Sequence, residues 1–153
     1  RMATVADPEG AVFNLQQPRA HPGVGAMREP NSVLWVELAT RDIAAAEAFY
    51  GAVLGWTATP FDAGPTQYRV LSVPGDEGGF GGMLQMDEQW AGIPAHWAIY
   101  LHVVDVDAIV QQAQALGGKV VVPAFDVPSV GRIARLEDPS GAGFYVMTPS
   151  PQG

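Results

Sequence analysis

Cysteine is absent from the 153 residues, histidine occurs 3 times, and 8 lysines and arginines stand against 16 aspartates and glutamates. Without cysteine there is no disulfide, no thiolate nucleophile and no cysteine-ligated zinc or iron–sulfur centre. The shortage of cations leaves a net charge of -8, which repels phosphate backbones. The cations that exist, such as Arg28, Arg41, Arg69 and Lys119, are scattered rather than gathered in a stripe, so nucleic acid is not an expected partner. No apolar run approaches the roughly 20 residues that span a bilayer, and no secretory pattern opens the sequence. The expectation is a protein without a membrane partner, located in the cytoplasm.

What the chain does have is apolar material, 48% of its residues, enough for one domain of this length to bury a core without staples. It also has an internal repeat. RMATVADPEGAVFNLQQP at residues 1–18 returns as RIARLEDPSGAGFYVMTP at residues 132–149, with Asp7, Pro8, Gly10, Ala11 and Phe13 matching Asp138, Pro139, Gly141, Ala142 and Phe144. Asp-Pro-x-Gly is turn chemistry, because proline presets one dihedral and glycine accepts a positive one. Both copies therefore read as β-hairpins. The second closes a domain, so residues 1–18 are expected to be the terminal hairpin of a truncated upstream domain and to pair with a sheet in this chain, in a swapped neighbour or in that absent domain. Residues 19–32, rich in Gly and Pro, read as a linker, and His21 within it as solvent-exposed.

From residue 33 to 150 two modules follow. Leu34, Val36 and Leu38 alternate with Trp35, Glu37 and Ala39, which is a strand with two faces. Thr40 or Asp42 then caps a helix from Ile43 to Leu54, with Ala45, Phe49, Tyr50 and Val53 as its apolar stripe, and Gly55 ends it. Strands are expected at 56–59, 67–73 and 83–86. The order then repeats: a strand at 96–104, Asp105 capping a helix from about Val106 to Leu116 with Ile109, Ala113 and Leu116 apolar, and strands at 120–122, 132–137 and 143–148. The expected fold class is α+β, a βαβββ layout present twice.

The segments WVELATRDIAAAEAFYGAVLGW and IYLHVVDVDAIVQQAQALGG, with the closing LEDPSGAGFYVMTP, resemble the vicinal oxygen chelate superfamily of glyoxalases, bleomycin-resistance proteins and extradiol dioxygenases. WVEL and FDVPSVGRIA look most similar to actinobacterial members in which two such domains are joined in tandem. The resemblance implies paired modules forming a curved, cavity-enclosing mixed sheet with helices outside, and homodimerisation or pairing with an upstream domain. It also implies a divalent metal held by His, Gln or Glu from four strands. Carried over by distance from the helix-capping aspartates, the ligand positions fall at Trp35, Ala98, Tyr145 and near Met83 or Gln85. Three of these cannot ligate as the family does, so no metal and no cofactor is expected there.

Strand alternation leaves Trp35 and Glu37 on one face of the first strand, and His96, Ala98, Tyr100 and His102 on one face of its counterpart, opposite Trp97, Ile99, Leu101 and Val103. His96 and His102, roughly 20 Å apart along a strand, cannot share an ion. A displaced site would use Glu37, one histidine and Gln85. The run Gly78-Gly79-Phe80-Gly81-Gly82 lacks the lysine and following helix of a phosphate loop and reads as a turn.

The expected cavity is lined by Trp35, Tyr68, Met83, Gln85, Ala98, Tyr100, His102, Tyr145 and Met147, a mixture that suits a small aromatic or amphipathic molecule. The leading expectation is therefore a metal-free small-molecule-binding domain. One alternative is an enzyme, either metal-free with Glu37 or His96 as general base, or a metal-dependent lyase, isomerase or dioxygenase using Glu37 and a cavity histidine. The other is a non-catalytic half of a tandem-domain protein.

Overall fold

The computed structural model describes residues 1–20, 23–76 and 78–151; His21 lies outside the described residues. Two compact units emerge, Arg1–Gly23 with Val36–Trp97, and Val24–Trp35 with Ala98–Gly153. The strands are β1 (Met2–Ala6), β2 (Val12–Gln16), β3 (Val33–Thr40), β4 (Thr57–Ala63), β5 (Thr66–Ser72), β6 (Gly81–Gln85), β7 (His96–His102), β8 (Lys119–Val127), β9 (Gly131–Glu137) and β10 (Gly143–Pro149). The helices are α1 (Ile43–Leu54) and α2 (Val106–Ala115), with a 3-10 turn at Glu88–Trp90. From β3 onward the order strand, helix, three strands occurs twice, and the class is α+β.

In the first unit the sheet runs β4-β5-β6-β3, with β3 and β6 parallel and the other pairs antiparallel. Asp42 starts α1 by accepting the Ala45 N–H at 3.0 Å, and Gly55 stops it at φ 71°, a conformation that costs other residues. The buried stripe of α1 is Ile43, Ala46 and Tyr50, the i, i+3, i+7 set. Ala45 and Val53, expected on the stripe, are exposed. Tyr50 is the hub of the core, with the rings of Phe13, Phe49, Trp56 and Trp97 all 5.1 to 5.5 Å from its own. Burial pushes its phenol well above the ordinary tyrosine value.

The second unit has the order β7-β10-β9-β8, with β7 and β10 parallel. Asp105 caps α2 through the Ala108 N–H at 3.0 Å. Val106, Ile109 and Ala113 of α2 pack on Val103, Ala134, Leu136 and Val146. Leu116, expected in this stripe, is 72% exposed, and Ile99, on the strand face opposite that of Tyr100, is 42% exposed. The expected linker is structured from Met27 onward: the Arg28 N–H donates to Val33 O, the Asn31 N–H to His102 O, and the His102 N–H to Ser32 O.

The repeat is a repeat of geometry. Asp7 accepts the N–H groups of Glu9 and Ala11 at 3.0 and 2.9 Å, and Asp138 accepts those of Ser140 and Ala142 at 2.8 and 2.9 Å. The second copy, β9 and β10, sits inside a sheet. The first, β1 and β2, forms a two-stranded sheet among the described residues. A lone hairpin is marginal in water, and side chains anchor this one. The buried Asp7 accepts the Tyr50 hydroxyl at 3.0 Å, and that oxygen accepts the Trp97 indole N–H at 3.0 Å. Glu9 accepts from the Thr40 hydroxyl and, at 3.0 Å, from the Arg41 N–H.

Candidate functional site

Register decides which side chains leave the helix side of each sheet, because directly paired residues share a face. In the first unit Leu38 pairs with Met83 and Met83 with Arg69. Arg69 reaches Glu47 of α1 at 3.5 Å, so this row faces the helix. The row on the other face is Glu37, Gly82, Val70 and Thr59, and beside it run Ala39, Leu84, Tyr68 and Phe61. Glu37 is a carboxylate only 7% exposed. Its cross-strand partner has no side chain, and the Tyr68 hydroxyl fills that space: a Cβ on Gly82 would lie 2.0 Å from it. At the outer end of the same face is a shallow cleft of about 370 Å³, lined by Thr57, Thr59, Ser72 and the turn to Asp76.

Two residues expected in the cavity are corrected by this register. Met83 is 0% exposed in the core with Leu38, Ile43 and Tyr50. Gln85, on the same side, spends both ends of its amide on the start of α1, accepting the Ile43 N–H at 3.0 Å and donating to Arg41 O. Because β6 lies parallel to β3 with Met83 opposite Leu38, the residues that share Glu37's face are Gly82 and Leu84. The phosphate-loop question closes in the same way: Gly81 and Gly82 belong to β6, and Phe80 packs on Trp56 at 4.7 Å.

In the second unit the face away from α2 carries Tyr100, Tyr145, Arg135 and Val122 in one row. The next row is His102, Met147, Ile133 and Phe125. Tyr100 and Tyr145 stack with centroids 4.4 Å apart and planes 10° from parallel. Tyr100, Ile133 and Met147 are buried together, with Leu34, Trp35, Val127 and Val130 packed around them. Ala98 shares the strand face of Tyr100 and is partly buried.

The histidines are separated. His96 sets Nδ1 2.9 Å from Pro94 O, its ring 6.3 Å from that of Trp90 in the first unit. His102 sets Nδ1 3.1 Å from Arg28 O in the second. Among the described residues no group of three or more His, Asp or Glu side chains is placed to hold a metal ion. Of the positions that the resemblance assigns in the second unit, Trp35 and Ala98 carry no usual metal-ligand atom and Tyr145 carries a phenol.

Arg135 and Ile133 were not singled out from sequence, although the signal was present. The Asp-Pro-Ser-Gly turn sets Glu137 opposite Gly143, and counting two residues back along each strand puts Arg135 beside Tyr145.

Comparison with known proteins follows the same lines. The family model described as Glyoxalase/Bleomycin resistance protein/Dioxygenase superfamily matches residues 32–146. CFP32 of Mycobacterium tuberculosis, which carries a provisional glyoxylase name, is 41% identical over 153 residues, covering 99% of this chain and 57% of that protein. The anthracycline biosynthesis protein DnrV of Streptomyces peucetius is 39% identical over 152 residues, covering 96% of this chain and 52% of that protein. The chain thus spans a little over half the length of these relatives. Among solved structures, methylmalonyl-CoA epimerase from Mycobacterium tuberculosis superposes with a TM-score of 0.56 at 21% identity, over 78% of this chain and 88% of that one. The Mn(II)-bound glyoxalase from Novosphingobium aromaticivorans gives 0.54 at 25% identity, over 78% and 39%. With three quarters of its length matched by the family model and both modules in place, the chain belongs to the glyoxalase/bleomycin resistance protein/dioxygenase superfamily.

Proposed function

We propose that this domain binds a small planar aromatic molecule on the face of the second unit's sheet turned away from α2, without the four-ligand metal of its family. The observation that carries this is the Tyr100 and Tyr145 stack at 4.4 Å, set among Trp35, Ile133 and Met147. Parallel aromatic rings with a polarizable thioether beside them offer a flat ligand dispersion and quadrupole contacts with few polar demands. The name of the 39% identical DnrV, which points to anthracycline biosynthesis, supports a ligand of that flat, fused-ring kind. Titration of metal-free protein with a panel of planar aromatics, followed by tryptophan and tyrosine quenching, should show saturable binding that Tyr145→Ala weakens. Absence of saturation across the panel would overturn the reading.

A second reading rests on Glu37. A carboxylate that is 7% exposed on a sheet face is poised as a general base for proton abstraction next to a carbonyl, and the glyoxylase name of CFP32 favours it. It requires turnover that Glu37→Gln reduces by about 100-fold or more; turnover unchanged in that variant would exclude it. Since the chain matches a little over half of its relatives, a non-catalytic half of a tandem protein is the third reading, supported if the remaining half alone retains full activity. Cytoplasmic location and pairing, as a homodimer or with an upstream domain, belong to the same proposal.

A further inference from the structure

Arg135 lies on the face of the second unit's sheet turned away from α2, and Lys119, directly across from Glu137, shares that face; Arg135 is partly buried where Lys119 is exposed. Arg69 pairs with Glu47, Arg132 with Asp107 and Asp126, and Arg41 donates to the carbonyls of Trp90 and Ile93. The Arg135 side chain, partly buried, has no hydrogen bond or ion pair among the described residues. It stands directly across from Tyr145, whose ring stacks on Tyr100. Its guanidinium lies over Gly143, where a Cβ would come within 3.3 Å of Nη2, so the missing side chain at 143 is what gives the head its place. Glu137 shares this face two residues along β9 and yet forms no ion pair with it.

A guanidinium gives up hydration when partly buried and normally recovers it in charge-assisted bonds. Among the described residues no side chain supplies them. The chain as a whole carries a net charge of -8 and repels anions, so an anionic ligand would need a designated local cation. The planar fork of arginine matches a carboxylate with two parallel N–H···O bonds. We infer that Arg135 is the anion anchor of this face and that the ligand it selects is a planar aromatic acid. Its rings lie against Tyr145 and Tyr100, and its carboxylate lies on the Arg135 fork.

This inference rests on the aromatic-binding reading above, and a matched pair of probes separates the two. Anthraquinone-2-carboxylate and its uncharged carboxamide present the same ring system, so titrating both by fluorescence quenching isolates the charge. Wild-type protein should bind the acid roughly tenfold tighter than the amide, the scale of one charge-assisted contact. In Arg135→Met, which keeps the apolar stem, the ratio should fall to about one, and Arg135→Lys should restore part of it. A variant that only disturbed folding would weaken both probes together and leave the ratio unchanged. If wild type binds acid and amide equally, or the ratio survives in Arg135→Met, the anion anchor is wrong and the aromatic-binding reading stands. If neither probe binds, both fail.

Discussion

Replacing Asp7 by alanine should destabilise the protein far more than the same change at Asp138, although the two occupy the same position of the same turn. Each carboxylate accepts the turn's two N–H groups, at 3.0 and 2.9 Å for Asp7 and at 2.8 and 2.9 Å for Asp138. Asp7 alone also accepts a core hydroxyl, that of Tyr50 at 3.0 Å, and is only 7% exposed. Truncation strands two buried donors, the Ala11 N–H beneath a residue 1% exposed and the Tyr50 hydroxyl. A buried donor left without its acceptor costs about 1–3 kcal/mol, so the pair comes to about 3 kcal/mol after relaxation. For a domain of this size that lowers the melting temperature by roughly 6–12 °C. Thermal and urea unfolding of Asp7→Ala, Asp138→Ala and wild type measure it, and limited proteolysis of residues 1–18 reports whether the hairpin lets go first. Equal losses for the two variants, or a shift below about 2 °C for Asp7→Ala, would refute the view that the hairpin is held through this carboxylate.

Other expectations follow from the same geometry. Burial raises the Tyr50 phenol above its ordinary 10.0, so its contribution is complete below pH 10 and is lost as pH rises, because the unfolded chain ionises first. Wild-type stability should fall there by about 1.4 kcal/mol per pH unit from this group, and Tyr50→Phe should flatten that limb in urea titrations from pH 9 to 11. Gly82→Ala places a methyl 2.0 Å from the Tyr68 hydroxyl and should cost about 1–3 kcal/mol by overpacking. Tyr68→Ala in the same chain should remove most of that cost, and additive effects in the double-mutant cycle would count against the contact.

Much of this molecule is legible locally. Asp42 and Asp105 announce helix starts three residues before the N–H each accepts, and Gly55 announces a stop. The two Asp-Pro-x-Gly turns announce hairpins in register. Alternation from β7 onward separates Tyr100 from Val103: Tyr100 is buried with Ile133 and Met147, and Val103 packs under α2. Alternation failed in β6. Gly-Gly-Met-Leu-Gln contains an apolar residue of each parity, and neither Met83 nor Leu84 declares its side. The stripe of α1 failed similarly, since a helix in which alanine recurs all round offers several apolar lines, and only the position of the sheet selects Ile43, Ala46 and Tyr50.

By itself, then, the sequence determined the element order, the caps, the turns and the repeat, all set by interactions spanning a few residues. The tertiary structure alone decided that Met83 and Gln85 serve α1, that Tyr68 roofs Gly82 beside the row of Glu37, that Tyr100 meets Tyr145, and that Asp7 is buried on Tyr50. Each of these pairs residues many positions apart, through parallel strand registers or a docked hairpin. Such contacts form only when distant segments are brought together and the burial gained outweighs the entropy of closing the loops between them.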